Sequence, residues 1–167
     1  MVKYLFVPSL AIAFVFGVLA GRLHSPIPAA RAASTNPSNG WTIHIDAEQH
    51  FGDAHPMEIA HHWCKQVSGG LTECQIYDSD APDARLVEVE TIVTPSVYKS
   101  FSPTEQAYWH WHKVEIPKVH AVLPDMTPDQ AAKLVAQMTD TYGKVWMLWD
   151  PLANSNPVGA PTVIVLK

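Results

Sequence analysis

An α+β domain with a mainly antiparallel sheet and three or four short helices is predicted by three observations. Short alternating stretches joined by turn sequences recur over 41–94 and again over 144–167. Proline-started helix signals fall between them, at Thr94-Pro95, Ser102-Pro103 and Thr127-Pro128. The 167 residues, 47% hydrophobic and 16% charged, suffice for one buried core and hardly two.

The elements follow in chain order. WTIHIDAEQHF, 41–51, opens as a strand, with Ile43 and Ile45 on one face and Thr42 and His44 on the other. HPMEIAHHWCKQV, 55–67, is expected as a helix begun by Pro56 and ended by Ser68-Gly69-Gly70. Helical spacing would put Met57, His61 and Cys64 on one stripe, with His62 about 100° away. LTECQIYD, 71–78, and ARLVEVETIVT, 84–94, are strands joined by the turn DSDAPD and paired antiparallel. In the second, Val87, Val89, Thr91 and Val93 form the expected core face, and Leu86, Glu88, Glu90 and Ile92 the other. A short helix from Pro95 ends by Phe101. Ser102-Pro103-Thr104-Glu105 and Thr127-Pro128-Asp129-Gln130 read as capping boxes. The last helix carries a stripe of Ala131, Leu134, Val135, Met138 and Tyr142, with Gly143 as its stop. KVWMLWD and PTVIVLK are the closing strands around the loop DPLANSNPVGAP.

The domain is preceded by other material. Residues 4–20, YLFVPSLAIAFVFGVLA, are uncharged and follow Lys3, so 1–24 reads as a signal peptide or a membrane anchor. Ala30-Arg31-Ala32 resembles a cleavage site. The expected location is outside the cytoplasm: periplasmic, extracellular, or tethered through 4–20 and facing outward. Residues 25–40 form a Pro-, Ala- and Ser-rich flexible linker, and 41–167 the globular domain.

Lys3, Arg22 and Arg31 are the only charged residues in 1–33, which leaves the rest with 8 basic against 16 acidic residues. That balance excludes nucleic acid as a partner, since phosphate neutralisation needs clustered cations. It also disfavours docking on anionic lipid. No nucleophile elbow, phosphate loop, dinucleotide fingerprint or H-E-x-x-H occurs. Asp78, Asp80 and Asp83 lack the glycine and closing glutamate of a calcium loop and read as a solvated turn.

The chemistry-bearing residues are two histidine clusters, AHHWC at 60–64 and WHWHK at 109–113. His110 and His112 are two apart, which puts both on one face only if the segment is extended. Converged there, with His61 or alternatively His62 as a third nitrogen, they could hold a divalent metal such as zinc with an open position. Cys64 and Met147 would make the site softer and suit copper. Cys64 and Cys74 are the only cysteines, and the Gly69-Gly70 turn between them makes a disulfide the competing use of Cys64. A structural hydrogen-bond network and a metal-free acid–base site are the other readings of the clusters. His44, His50, His55 and His120 are expected as surface or hydrogen-bonded histidines, and His24 falls before the globular domain.

AHHWC at 60–64, ECQIYDSDAPDARLVEVETIV at 73–93, WHWHKVEI at 109–116, YGKVWMLW at 142–149 and PVGAPTVIV at 157–165 together resemble the oil body-associated protein family. This is a domain of unknown function shared by plants, fungi and bacteria. The resemblance implies that both histidine clusters are kept, with Trp63 and Trp111 where the family usually has tyrosine and serine. It also implies a departure, since the family often has histidine where this chain has Met147. It implies oil-body association for plant members and supplies no catalytic activity to carry over to this chain.

The leading expectation is an exported or anchored domain with a histidine-rich divalent metal site. The alternative is a lipid-interface or partner-binding module that works through Trp109, Trp111, Trp146 and Trp149, since tryptophan suits interfaces. A metal-dependent enzyme has no substrate signature here.

Overall fold

The computed structural model describes residues 37–50 and 57–165. The expected signal or anchor, His24, His55 and Pro56 lie outside the described residues, as do most of the linker and the side chain of His50. Among the described residues no helix is long and apolar enough to cross a membrane.

Among the described residues seven strands form one antiparallel sheet: β1 Ile43–His50, β2 Met57–Gln66, β3 Leu71–Tyr77, β4 Leu86–Val93, β5 His110–Trp111, β6 Tyr142–Met147 and β7 Thr162–Ile164. Their order is β1-β2-β3-β4-β6-β5, with β7 also on β6. Four α-helices among the described residues accompany the sheet: α1 Pro95–Lys99, α2 Pro103–Gln106, α3 His112–Glu115 and α4 Pro128–Met138. The fold is thus α+β, with proline opening three of the four helices. Thr127 and Gln130 complete a capping box on α4. On α2 only half forms: Ser102 caps Glu105, but the Glu105 carboxylate turns to Lys144 and Trp109 instead.

Three sequence expectations are corrected. The stretch 57–66 is a strand, not a helix: Ala60, His62 and Cys64 are buried and alternate with half-buried His61, Trp63 and Lys65. Pairing with β1 on one side and β3 on the other overrides the helical spacing. Helix α4 ends at Met138, and Tyr142 and Gly143 belong to β6. The third concerns β4. Glu88, Glu90 and Ile92 lie in register with Ile76, Cys74 and Thr72 of β3 on the face that bears the core, and Val87 joins that core at a bulge opposite Ile76 and Tyr77. Glu88 is 0% exposed and Glu90 6%. Two carboxyl groups inside a core are costly unless partnered, and their partners define the site.

That face carries Ile45, Ala60, Cys64, Cys74, Ile76, Ile92 and Val145. The stripe Ala131, Leu134, Val135 and Met138 of α4 packs on it. Cys64 and Cys74 sit directly opposite each other on β2 and β3 and are disulfide-bonded, so neither is free. Gly69 and Gly70 turn the hairpin between them, both with φ of 74°, a backbone state that glycine adopts without penalty. Trp149 is part of the core, its indole donating to the Leu86 carbonyl, so it offers no working surface.

Candidate metal centre

The WHWHK segment is extended only as far as it needs to be. His110 and Trp111 pair with Gly143 and Tyr142 of β6, and α3 begins at His112. The two imidazoles converge, with ring centroids 5.0 Å apart. They are 6% and 3% exposed. Beneath them, across β6, lies Glu90 of β4, and beside them Glu115, one turn along α3.

The His110 Nε2 is 3.4 Å from Glu90 Oε1 and 2.9 Å from Glu115 Oε2. The His112 Nε2 is 3.3 Å and 3.7 Å from the same two oxygens. Ligand atoms of Glu90, His110 and His112 all lie within 4.8 Å of one another. Zinc bonds of about 2.0–2.1 Å in a tetrahedron give ligand–ligand edges of about 3.3 Å. The four nitrogen–oxygen separations bracket that value.

The histidines are oriented for this role. The His112 Nδ1 is 2.7 Å from the Thr141 hydroxyl, which fixes the ring and turns Nε2 toward Glu90. Among the described residues, both buried ring nitrogens of His110 lack an aligned hydrogen-bond partner, although two carboxylates lie beside Nε2. Burial alone would lower the His110 pKa; the carboxylates of Glu115 and Glu90 outweigh it and push it up to about 10. Burial alone would raise Glu90; His110 and His112 outweigh it and hold that carboxyl well below the usual carboxylate range. Glu88 differs. Burial pushes it up to about 8, against the hydrogen bond from Gln49 and with the charge of Glu90 adding.

Gly143 makes the approach possible. A Cβ there would lie 2.5 Å from the His110 Cε1 and Nε2 atoms and closer still to Glu90 Oε1. The glycine read as a helix stop is instead the floor of the cluster.

A cavity of about 50 Å³ adjoins the cluster, walled by Glu90, His112, Glu115, His62 and apolar residues of α4 and the 116–123 segment. The His62 Nδ1 faces the carbonyls of Ile45 and Ala60, to which an N–H there donates, leaving Nε2 as acceptor or ligand.

The candidate residues are thus divided. His110 and His112 come together, and His62 faces the same cavity. His61 projects from the opposite face of the sheet, because neighbours on a strand alternate. Cys64 is bonded to Cys74 and offers no thiolate. Met147 pairs with Glu88, four residues along β6 from Gly143, hence roughly 13 Å from the position opposite His110. Glu90 and Glu115 were not anticipated. The Ile92 flank of Glu90 was the available signal, since it permits the glutamate face of β4 to point inward.

The arrangement defines a class: a small antiparallel α+β domain that buries a two-histidine, two-carboxylate cluster beside an apolar cavity. The chain belongs to the family described as Protein of unknown function (DUF1264), whose model matches residues 35–166. It is 33% identical to oil body-associated protein 2B of Zea mays, over 68% of this chain and 46% of that relative. It is 31% identical to oil body-associated protein 2B of Arabidopsis thaliana, over 81% and 56%, and 29% identical to protein 1B of the same plant, over 82% and 58%. The chain spans about half the length of these curated relatives. No solved structure matches.

Proposed function

We propose that this domain binds a divalent metal through His110 Nε2, His112 Nε2 and Glu90 Oε1, with the Glu115 carboxylate beside the site. The observation that carries the proposal is the His110 Nε2: buried, without an aligned hydrogen bond, and 2.9–3.4 Å from two carboxylate oxygens. Two imidazoles and a carboxylate form a nitrogen–oxygen set that suits zinc and contains no sulfur ligand. The adjoining cavity gives a bound metal room for water or a small ligand, with His62 across it. The test is metal content of the chain purified without chelator or His tag and then loaded with zinc. His110→Ala/His112→Ala removes one equivalent; unchanged content sinks the proposal.

Export is part of this reading, supported by the uncharged run at 4–20 and by the bonded cysteines, which persist in oxidising compartments. Thiol labelling of the protein in intact cells would find neither cysteine reactive; two reactive thiols would count against export. A second reading, as a lipid-surface module, has two supports. Trp111 is 38% exposed, and the curated relatives are named for oil bodies. Flotation of the chain with neutral-lipid droplets, lost on Trp111→Ala, is the expected result for that reading.

A further inference from the structure

The opposite face of the sheet carries a second cluster built from different residues. His44 and Asp46 are two apart on β1 and therefore point the same way. His61 on β2 is the cross-strand partner of Asp46, which places its ring beside them. Asp80, from the turn between β3 and β4, closes the group. Only as a strand does 57–66 bring His61 to Asp46.

We infer that His44, Asp46, His61 and Asp80 form a second divalent cation site, distinct from the buried centre. Four nitrogen–oxygen separations define it. His44 Nε2 lies 3.1 Å from Asp46 Oδ1 and 3.1 Å from Asp80 Oδ1. His61 Nδ1 lies 2.7 Å from Asp46 Oδ1 and 3.0 Å from Asp80 Oδ2. All are within about 0.6 Å of a tetrahedral zinc edge.

A second, independent observation points to a ligand. His44 is 5% exposed, and its Nε2 is buried and makes no hydrogen bond among the described residues. Its other nitrogen, Nδ1, lies 3.1 Å from Asp125 Oδ2, where an N–H donates to the carboxylate. A neutral imidazole has a single N–H. With an N–H on Nδ1, Nε2 presents a lone pair toward two carboxylates, and a bound cation between them reconciles the arrangement. A carboxylate behind a histidine whose far nitrogen faces the ligand position is the usual support of a metal-bound imidazole. The Trp63 ring, stacked on His44 at 4.2 Å, holds the imidazole plane in place.

The sites differ in access. Asp80 is exposed, with 43% of its side chain open to solvent. It also borders an open groove of about 330 Å³ walled by Trp41, Trp63 and Tyr77. A cation here exchanges with solvent, whereas the other centre is enclosed. Imidazole with carboxylate favours zinc-like ions over calcium.

The test is zinc stoichiometry and affinity of the full chain, with calcium as a competitor. The wild type is expected to bind two equivalents, one of them exchanging rapidly with chelator. His61→Ala/Asp80→Asn removes that equivalent and leaves one; His110→Ala/His112→Ala removes the other. Asp80→Asn alone, an exposed change that spares the fold, weakens the rapidly exchanging equivalent at least tenfold. Wild-type affinity for that equivalent in Asp80→Asn overturns the inference, as does displacement by equimolar calcium. A single equivalent lost only with His110 and His112 also overturns it, leaving the buried centre intact. A single equivalent lost only with His61 and Asp80 would instead sink the buried centre.

Discussion

Gly143→Ala perturbs the buried centre without replacing any ligand. The added Cβ would sit 2.5 Å from two ring atoms of His110, and nearer to Glu90 Oε1, where ordinary carbon contacts begin at about 3.5 Å. The ring must therefore retreat by about 1 Å. Metal–ligand distances hold within about 0.2 Å, so the displaced nitrogen no longer binds. The expected effect is a zinc affinity at least about 100-fold weaker, roughly 2.8 kcal/mol. Both clashing groups are side-chain ends, so the metal-free fold suffers only an overpacking cost of about 1–3 kcal/mol. Zinc affinity is read by competition with a chromophoric chelator, and stability by urea unfolding of the metal-free protein. In the His110→Ala background the same glycine change should cost at least about 0.5 kcal/mol less, because the ring is gone. Gly143→Ala protein that binds zinc like the wild type would refute the geometry.

Two further outcomes follow from the burial of polar and sulfur groups. Glu88 is held protonated by burial, with a folded pKa of about 8 against 4.5 unfolded. Its contribution to stability is complete below about pH 4.5 and is lost as pH rises through about 8, a swing of up to about 5 kcal/mol. Glu88→Gln, which keeps a partner for Gln49, should therefore be the more stable protein at pH 9 by urea unfolding, with the advantage shrinking toward pH 5; a gap that widens toward acid would contradict this. Cys64→Ala/Cys74→Ala opens a bridge across a separation of 10 residues. It should cost about 2–3 kcal/mol of stability while leaving zinc stoichiometry unchanged. Loss of a zinc equivalent would make sulfur a ligand after all.

Most of the sheet and the helix starts were legible in the sequence, because local signals and tertiary contacts agree there. The alternation of 43–50 and 71–77, the proline-opened helices and the α4 stripe all report their burial directly. The failures share a cause. Histidine at 61 and 62 obscures the period of β2, since an imidazole fits a core or a surface equally well. The Leu-Glu-Glu-Ile face of β4 looks solvated until its carboxylates are seen to have histidine partners. Gly143 stands where either a helix stop or a close side-chain approach would want glycine, and only pairing with His110 decides. His110 and His112 were legible as a pair because extended backbone puts alternate residues on one face. Glu90, Glu115, Asp46 and Asp80 were not, because acidic residues are common on surfaces and only the folded register brings them to imidazoles.

The most direct measurement for the buried centre is anomalous scattering at the zinc edge from crystals of the zinc-loaded chain. The account predicts a peak about 2.0–2.2 Å from His110 Nε2, His112 Nε2 and Glu90 Oε1, with no sulfur among the neighbours. A zinc-loaded crystal with no peak there, and with His110 simply hydrogen-bonded to Glu90 and Glu115, would contradict it.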